Sequence, residues 1–121
     1  MSETTRVLNI RLNVEVADMD RAVSFYERSL GLRVRSRAAE FGLASLGTEG
    51  GAEIALQQVS EPAARSCYGN MTGVDELHRR CTAAGVAIDA PLTTQSWGMR
   101  DFVVRDPDGN MIGIGERVAG G

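Results

Sequence analysis

The sequence has few of the residues from which metal sites and disulfide frameworks are built. Among 121 residues it contains one histidine and two cysteines. Two cysteines make neither a disulfide framework nor a cysteine cluster for a metal, so we interpret Cys67 and Cys81 as reduced structural thiols. A catalytic thiol would need a basic partner. The single histidine, His78, falls on a predicted helix, and an iron site with two histidines and one carboxylate would need histidines from two chains.

The sequence also lacks an excess of positive charge and a long apolar run. Its net charge is -3 and its isoelectric point is about 5.1, which argues against a surface that binds nucleic-acid phosphates. No apolar run approaches the roughly 18 residues that span a bilayer, and the first residues have no apolar core of a signal peptide. We therefore expect a cytoplasmic protein that binds neither nucleic acid nor membranes.

Hydrophobic periodicity predicts the first half of the fold. The length indicates one domain over residues 1–121. Apolar and polar residues alternate from Val7 to Val16, which predicts a half-buried strand. Apolar residues from Met19 to Leu30 have helical spacing, with Asp18 as the expected N-cap and Gly31 as the expected end. Strand-like runs follow over residues 32–37, 41–46 and 52–59.

The same order of elements then occurs a second time. A short run over 66–71 precedes a helix with Thr72 as the expected cap and Gly85 as the expected end. The remaining strand-like runs cover residues 86–88, 97–105 and 111–116. The sequence therefore predicts an α+β fold of two βαβββ modules, each a cupped mixed sheet with its helix on the convex side. The module boundaries are about 6–60 and 65–118, with a linker over about 61–64.

Three segments carry a resemblance to a known family. They are "VADMDRAVSFYERSLGLRV", "TGVDELHRRC" and "WGMRDFVVRDPDGNMIGIGE". In this order they resemble the vicinal oxygen chelate superfamily of glyoxalase I, extradiol dioxygenases, fosfomycin-resistance enzymes and bleomycin-resistance proteins. The similarity extends over roughly the whole chain and is greatest to the bleomycin-resistance type of drug-binding protein. It implies a homodimer in which cupped sheets from two chains form the ligand cavities.

The resemblance also implies where a catalytic metal would be held. The enzymes of this superfamily place metal ligands at four sheet positions, which here fall near Arg11, Ala55, Ser66 and Gly113. None of these residues is an ordinary metal ligand. A carboxylate site that uses Glu15 or Glu53 has no support from their spacing. We therefore expect no metal, no cofactor and no catalytic residues.

The final hairpin is expected to line the cavity. The turn at Asp106–Gly109 predicts that Arg105 pairs with Asn110, which places Phe102 opposite Gly113 on the cavity face. Glycines inside a strand mark either the close approach of a ligand or a β-bulge. With Ala55 and Ser66, the strand glycines should leave a roomy floor. Polar groups expected to orient a ligand are Arg11, Asn9, Asn13, Gln57, Tyr68 and Arg100.

Trp97, the only tryptophan, lies in the polar and glycine-containing stretch "QSWGMRDF". Such a position suits a surface for stacking better than a core residue. In the drug-binding relatives, two aromatic rings grip a flat heteroaromatic part of the ligand. The resemblance implies that Trp97 supplies one ring and Phe41 the other. The alternative is that Trp97 closes the rim of the dimer or covers the core.

The sequence thus predicts a metal-independent homodimer that sequesters a planar aromatic, DNA-damaging antibiotic and confers self-resistance. Bleomycin-, mitomycin- and anthraquinone-enediyne-like ligands are all compatible, and the sequence does not choose among them. The alternative is a glyoxalase- or dioxygenase-like enzyme that acts on a small natural product. A third hypothesis is a metal-free catalyst in which Arg100, Asp101 or Tyr68 transfers protons.

Overall fold

The computed structural model describes residues 5, 11–49 and 51–118. These residues form eight strands, two α-helices and one 3₁₀ helix, and neither α-helix is long and apolar enough to cross a membrane. In chain order the elements are β1 (Leu12–Val16), α1 (Met19–Leu30), β2 (Arg33–Ala38), the 3₁₀ helix (Ala39–Phe41), β3 (Leu43–Gly47), β4 (Glu53–Gln58), β5 (Ser66–Asn70), α2 (Val74–Ala83), β6 (Ala87–Thr94), β7 (Met99–Arg105) and β8 (Met111–Arg117).

The strands form two four-stranded mixed sheets with the same connectivity. The first sheet has the order β1-β4-β3-β2 and the second has the order β5-β8-β7-β6. In each sheet the first strand pairs in parallel with the fourth, whereas the other neighbours are antiparallel. This arrangement confirms the predicted α+β fold of repeated βαβββ type. Residues 12–14 of β1 and residues 65–67, which include the start of β5, line a common cavity of about 390 Å³, so these two edges face each other.

The helices pack on one face of the sheets and enclose a common core. Buried apolar side chains from both sheets and both helices form this core: Val14, Val16, Met19, Ala22, Val23, Phe25, Tyr26, Ala44, Leu46, Ile54, Leu56, Val74, Cys81, Phe102, Val104, Ile112 and Ile114. We call the opposite face of each sheet its helix-free face. Because successive residues of a strand point to opposite faces, the core side chains determine which residues lie on the helix-free faces.

Local sequence signals set the limits of α1. The side chain of Asp18 accepts a hydrogen bond of 3.1 Å from the backbone N–H of Arg21. Gly31 follows the helix in the left-handed conformation, with φ of 70°. Both predictions for this helix are confirmed. Arg80 of α2 also reaches this end, where its Nε donates to the carbonyl of Arg28 at 3.0 Å. A cation at the C-terminal end of a helix is favourable because the carbonyl dipoles point toward it.

The N-terminus of α2 differs from the prediction. Its N-cap residue is Gly73, with φ of 79°, and no side chain from this position caps the helix. Instead, the carboxylate of Glu116 on β8 accepts hydrogen bonds from the N–H groups of Gly73 and Val74, both at 3.1 Å. Thr72 is therefore not the cap. The distant Glu116 satisfies N–H groups that a local capping residue usually satisfies.

The turn between β7 and β8 joins the two halves of the chain. The hydroxyl of Tyr26 on α1 donates to Asp106 Oδ2 at 2.7 Å, and both residues are buried. Asn110 Nδ2 donates to the carbonyl of Glu15 on β1 at 3.1 Å. Asn110 Oδ1 accepts from the N–H of Arg65 at 2.8 Å. The "DPDGN" segment is therefore a polar junction between the sheets as well as a hairpin turn.

The two cysteines are free and belong to the helix side of the structure. Cys81 is buried, and its Sγ donates to the carbonyl of Ser29 at 3.5 Å. Cys67 is half-buried and packs against the core. Burial raises the pKa of both thiols, which disfavours the reactive thiolate.

Candidate functional site

The helix-free face of the first sheet carries small and polar side chains. Val14 and Val16 are buried toward α1, so Asn13 lies on the other face, where it pairs with Ala55 of β4. A cavity of about 320 Å³ lies on this face. Among the residues that line it are Arg11, Asn13, Ser36, Ser45 and Ala55.

Polar contacts order part of this first face. Arg11 forms an ion pair with Glu53. The hydroxyls of Ser36 and Ser45 are 2.8 Å apart and share a hydrogen bond. Gln57 is exposed and pairs with Glu15 across the sheet. Of the polar groups predicted from the sequence, Arg11, Asn13 and Gln57 therefore share this face. Asn9 lies outside the described residues.

The register of the final hairpin differs from the prediction by one residue. Arg105 pairs with Met111, so five residues rather than four separate the paired positions. The N–H of Asp106 donates to the carbonyl of Asn110 at 2.9 Å, which draws Asn110 into the turn. Since a shift by one residue exchanges the two faces of a strand, each β7 residue opposes a different β8 residue from the one expected.

Phe102 is consequently a core residue. It pairs with Ile114 rather than Gly113, and it is 1% exposed. Its ring meets that of His78 edge to face, with the centroids 5.1 Å apart. The prediction that Phe102 lines the ligand cavity is therefore wrong.

Arg100 also lies on the helix side of β7. Its Nη2 is 2.9 Å from Oδ1 of Asp75 on α2. The hydrogen bond from Arg100 lowers the pKa of the Asp75 carboxyl. Arg100 and Phe102 share one face because they are two residues apart in the strand. The prediction that Arg100 orients a ligand in the cavity is therefore wrong as well.

The glycines of β8 accommodate the ring of Tyr68. Tyr68 of β5 pairs with Gly113. A Cβ atom added to Gly113 would lie 2.7 Å from Tyr68 Cδ2, and one added to Gly115 would overlap the Tyr68 hydroxyl. The group that approaches these glycines closely is therefore the side chain of Tyr68. Its ring occupies the space that was expected to be an open cavity floor. This ring is 48% exposed.

A short chain of hydrogen bonds extends from Tyr68 along this second helix-free face. The hydroxyl of Tyr68 donates to Asp101 Oδ2 at 2.9 Å, and Gln95 Nε2 donates to Asp101 Oδ1 at 2.9 Å. Partial desolvation and the contact with Asp101 raise the pKa of Tyr68. Sequence reasoning missed the role of Gln95. In the observed register Asp101 opposes Gly115, and this pairing is the signal that would have placed Asp101 beside Tyr68.

Trp97 and Phe41 lie outside the core. Trp97 is 66% exposed in a turn in which the N–H of Gly98 donates to the carbonyl of Gln95 at 3.2 Å. Gly98 has φ of 89°, a conformation that favours glycine. Phe41 is the last residue of the 3₁₀ helix and is 71% exposed. The exposure of Trp97 contradicts the alternative that it covers the core of its own chain.

The residues at the four expected ligand positions do not suit a divalent metal. Arg11 is a cation paired with Glu53, Ala55 has no donor atom in its side chain, and Ser66 offers only a neutral hydroxyl. Gly113 has no side chain and lies beneath Tyr68. Within the described parts of the chain, no three histidine, cysteine, aspartate or glutamate side chains are grouped so that they could hold a metal ion. Zinc, iron and magnesium sites are built from several such groups.

Comparisons with known proteins agree with this architecture. A family model for the glyoxalase/bleomycin resistance protein/dioxygenase superfamily matches residues 10–114. The solved structure of TioX from Micromonospora sp. ML1 is 28% identical, with a TM-score of 0.81 over 91% of this chain and 98% of TioX. An integron cassette protein from the mobile metagenome of V. cholerae is 27% identical, with a TM-score of 0.72 over 96% of this chain and 98% of that protein.

A third similar structure is a bleomycin resistance determinant encoded on the transposon Tn5. It is 24% identical, with a TM-score of 0.77 over 92% of this chain and 98% of that protein. At this identity the likeness shows a common fold. Comparison with curated proteins found no match.

Proposed function

Because the chain belongs to the glyoxalase/bleomycin resistance protein/dioxygenase superfamily, we propose that it is a metal-independent binding protein that sequesters a planar aromatic antibiotic and so confers self-resistance. The observation that carries this proposal is the position of Trp97 and Phe41. Both rings are exposed on connecting segments, where they add little to the core. Rings in such positions can stack on a flat ligand without unfolding the protein.

Stacking on two rings is not sufficient for tight binding of an antibiotic. Stacking of an aromatic ring on a base contributes about 1–3 kcal/mol, and we use the same range for a flat antibiotic. A nanomolar complex corresponds to about -12.3 kcal/mol. Burial of ligand surface in the cavity of the first sheet and hydrogen bonds to Arg11, Asn13 and Gln57 would supply the remainder. The bleomycin resistance determinant with the same fold supports the choice of a drug-like ligand.

A second copy of the chain completes the proposed cavity. Phe41 lies on the segment between β2 and β3 of the first sheet, and Trp97 lies on the turn between β6 and β7 of the second sheet. The helix-free faces of two chains could therefore bring one ring from each chain together. Four exposed apolar side chains on these faces or on the connecting segments beside them would be covered in such a dimer: Phe41, Leu43, Tyr68 and Trp97. Large exposed apolar surface is typical of an interaction site. A two-fold dimer would contain two equivalent cavities.

Calorimetric titration with three ligand types tests this function. Bleomycin, mitomycin C and an anthraquinone present different planar groups, and at least one should bind saturably and be recovered chemically unchanged. Chelator treatment should leave this binding and the melting temperature unaltered. Binding that a chelator abolishes and a divalent metal restores would favour the glyoxalase- or dioxygenase-like enzyme.

The hydrogen bond between Tyr68 and Asp101 supports a second candidate function, metal-free proton transfer. The two groups are 2.9 Å apart on an accessible face. The raised pKa of Tyr68 makes it a weaker acid, and Arg100 lies on the opposite face, so this candidate is the weaker one. A ligand that is chemically altered by the wild type but unchanged by Tyr68→Phe would favour catalysis.

A further inference from the structure

We propose that Asp101 is a positioning residue of the ligand site. It fixes the ring of Tyr68 and the turn that carries Trp97 relative to each other. This inference rests on the proposed function, since its purpose is to present two aromatic surfaces to one ligand. Asp101 lies on β7 of the second sheet, opposite Gly115. Its two carboxylate oxygens have different partners. One accepts a hydrogen bond from Tyr68 itself, and the other accepts one from Gln95 in the turn that carries Trp97.

One oxygen fixes Tyr68. Oδ2 of Asp101 accepts a hydrogen bond of 2.9 Å from the Tyr68 hydroxyl. Gly115 makes this contact possible, because a Cβ atom at this position would overlap the hydroxyl and lie 3.1 Å from Cβ of Asp101. Gly113 likewise leaves room for the ring edge. Tyr68 therefore lies over the two glycines as a third aromatic surface, and half of it is open to a ligand.

The other oxygen fixes the turn. Oδ1 of Asp101 accepts a hydrogen bond of 2.9 Å from Gln95 Nε2. Gln95 begins the turn that carries Trp97. Its N–H donates to the carbonyl of Met99 at 2.6 Å, and its carbonyl accepts from Gly98. Both the side chain and the backbone of Gln95 thus link Asp101 to the segment on which Trp97 is mounted.

The carboxylate of Asp101 accepts hydrogen bonds from two neutral donors. Among the described residues, the ion pairs do not include Asp101, and its hydrogen-bond donors are a phenol and an amide. An ionised carboxylate accepts at both oxygens, whereas an asparagine side chain has one acceptor oxygen and one donor nitrogen. The substitution Asp101→Asn therefore preserves size, but either the Tyr68 hydroxyl or the Gln95 amide must turn from donor to acceptor to face the new N–H group, and neither hydrogen bond keeps the carboxylate charge.

The order of Trp97 in the unliganded protein tests this role directly. Trp97 is the only tryptophan, so its fluorescence anisotropy and its quenching by acrylamide report on this turn alone. Asp101→Asn should lower the anisotropy and increase the quenching. The matched control is Asp89→Asn. It removes a carboxylate on β6 that pairs with Arg105 on β7 at 2.6 Å and does not contact the turn of Trp97 through Gln95. The control should leave both signals at the wild-type values.

Ligand affinity provides the second readout. For whichever of bleomycin, mitomycin C and the anthraquinone binds, Asp101→Asn should weaken binding about twofold to tenfold, as expected when the hydrogen bonds that orient the two rings are weakened. Gln95→Ala, which leaves Asp101 intact, should have an effect of similar size. The loss of binding free energy in the double variant should be smaller than the sum of the two single losses, because both changes affect the hydrogen bond between positions 95 and 101.

The outcomes separate this inference from the proposed function. If no ligand binds the wild type but Asp101→Asn still loosens Trp97, the antibiotic function fails and the positioning role stands. If Asp101→Asn and Gln95→Ala leave the anisotropy, the quenching and the affinity at wild-type values, the positioning role is wrong. Should Asp101→Asn fail to fold, Gln95→Ala decides the question alone.

Discussion

At the scale of single residues, the aromatic side chains divide into two groups of three. Phe25, Tyr26 and Phe102 are buried, whereas Phe41, Tyr68 and Trp97 are exposed. The polar surroundings of Trp97 predicted its exposure, because a tryptophan in such a segment has few apolar neighbours in the chain. The burial of Phe102 was not predictable in the same way, because it depends on the register that the following turn imposes.

Phe25 provides the comparison for the exposed rings. It is buried on α1 and packs edge to face against Tyr26, with the centroids 5.1 Å apart. Phe25→Ala should lower the free energy of unfolding by about 3–5 kcal/mol, because it opens a cavity in the core. Urea denaturation followed by circular dichroism measures this change. A loss of less than about 1 kcal/mol would show that Phe25 is not packed in the core of the folded protein.

At the scale of elements, local signals were sufficient for α1 but not for α2. Asp18 and Gly31 act within the helix they delimit, so the sequence reveals them. The cap of α2 comes from Glu116, which is more than 40 positions away and reaches α2 only through the pairing of the sheet. Likewise, the four residues of a standard turn predicted the wrong register at Asp106–Asn110, since hydrogen bonds to the other half of the chain fix this segment.

The capping of α2 gives a prediction with an internal control. Glu116→Ala should destabilise the protein by about 0.5–2 kcal/mol, as expected for the loss of a helix cap. Thr72→Ala, at the position that the sequence favoured, should change the free energy of unfolding by less than about 0.5 kcal/mol. Urea denaturation of both variants measures the difference. A larger loss of stability for Thr72→Ala than for Glu116→Ala would show that Thr72, and not Glu116, caps α2.

The junction between α1 and the β7–β8 turn should be sensitive to alkali. Burial, followed by the contact with Asp106, raises the pKa of Tyr26 above the value of about 10 of an unfolded tyrosine. A group whose pKa is raised on folding stabilises the protein fully below its unfolded pKa, and this contribution is lost as the pH rises through the folded pKa. The free energy of unfolding should therefore fall above about pH 10.

Tyr26→Phe isolates this effect. The variant should show a shallower decrease above about pH 10 than the wild type, because it has no buried phenol to ionise. Tyr68→Phe, whose parent side chain is half-exposed, serves as the comparison. Urea denaturation at a series of alkaline pH values gives the slopes. Equal slopes for Tyr26→Phe and the wild type would show that Tyr26 ionises as readily when folded as when unfolded.

At the scale of the whole molecule, the order of elements predicted the two sheets, but association and ligand identity remain proposals. Repetition of strand, helix and three strands could be read from periodicity because each half of the chain has its own alternating and helically spaced apolar residues, although both halves contribute to one core. The composition of the helix-free faces could be predicted only where strand alternation was unambiguous, as at Arg11 and Asn13. Where the register slipped, at Arg100 and Phe102, the assignment to the cavity failed.

The proposed dimer follows from the apolar side chains exposed in one chain. We expect a dimeric mass by light scattering at micromolar concentration. Phe41→Glu should shift the protein toward the monomer, since a charge at the proposed contact between two helix-free faces would lose hydration. Glu40→Gln, at the neighbouring exposed position, is the control and should not change the mass. A monomeric wild type would contradict the completed cavity.

Titration of Trp97 fluorescence with bleomycin, mitomycin C and an anthraquinone, with calorimetry of Trp97→Ala in parallel, tests whether Trp97 stacks on a bound antibiotic. At least one of the three ligands should quench this fluorescence saturably. For this ligand, Trp97→Ala should fold with wild-type stability and bind about five- to 150-fold more weakly, which corresponds to about 1–3 kcal/mol. The absence of saturable quenching by all three ligands, or a Trp97→Ala variant that loses stability but binds with undiminished affinity, would contradict this stacking.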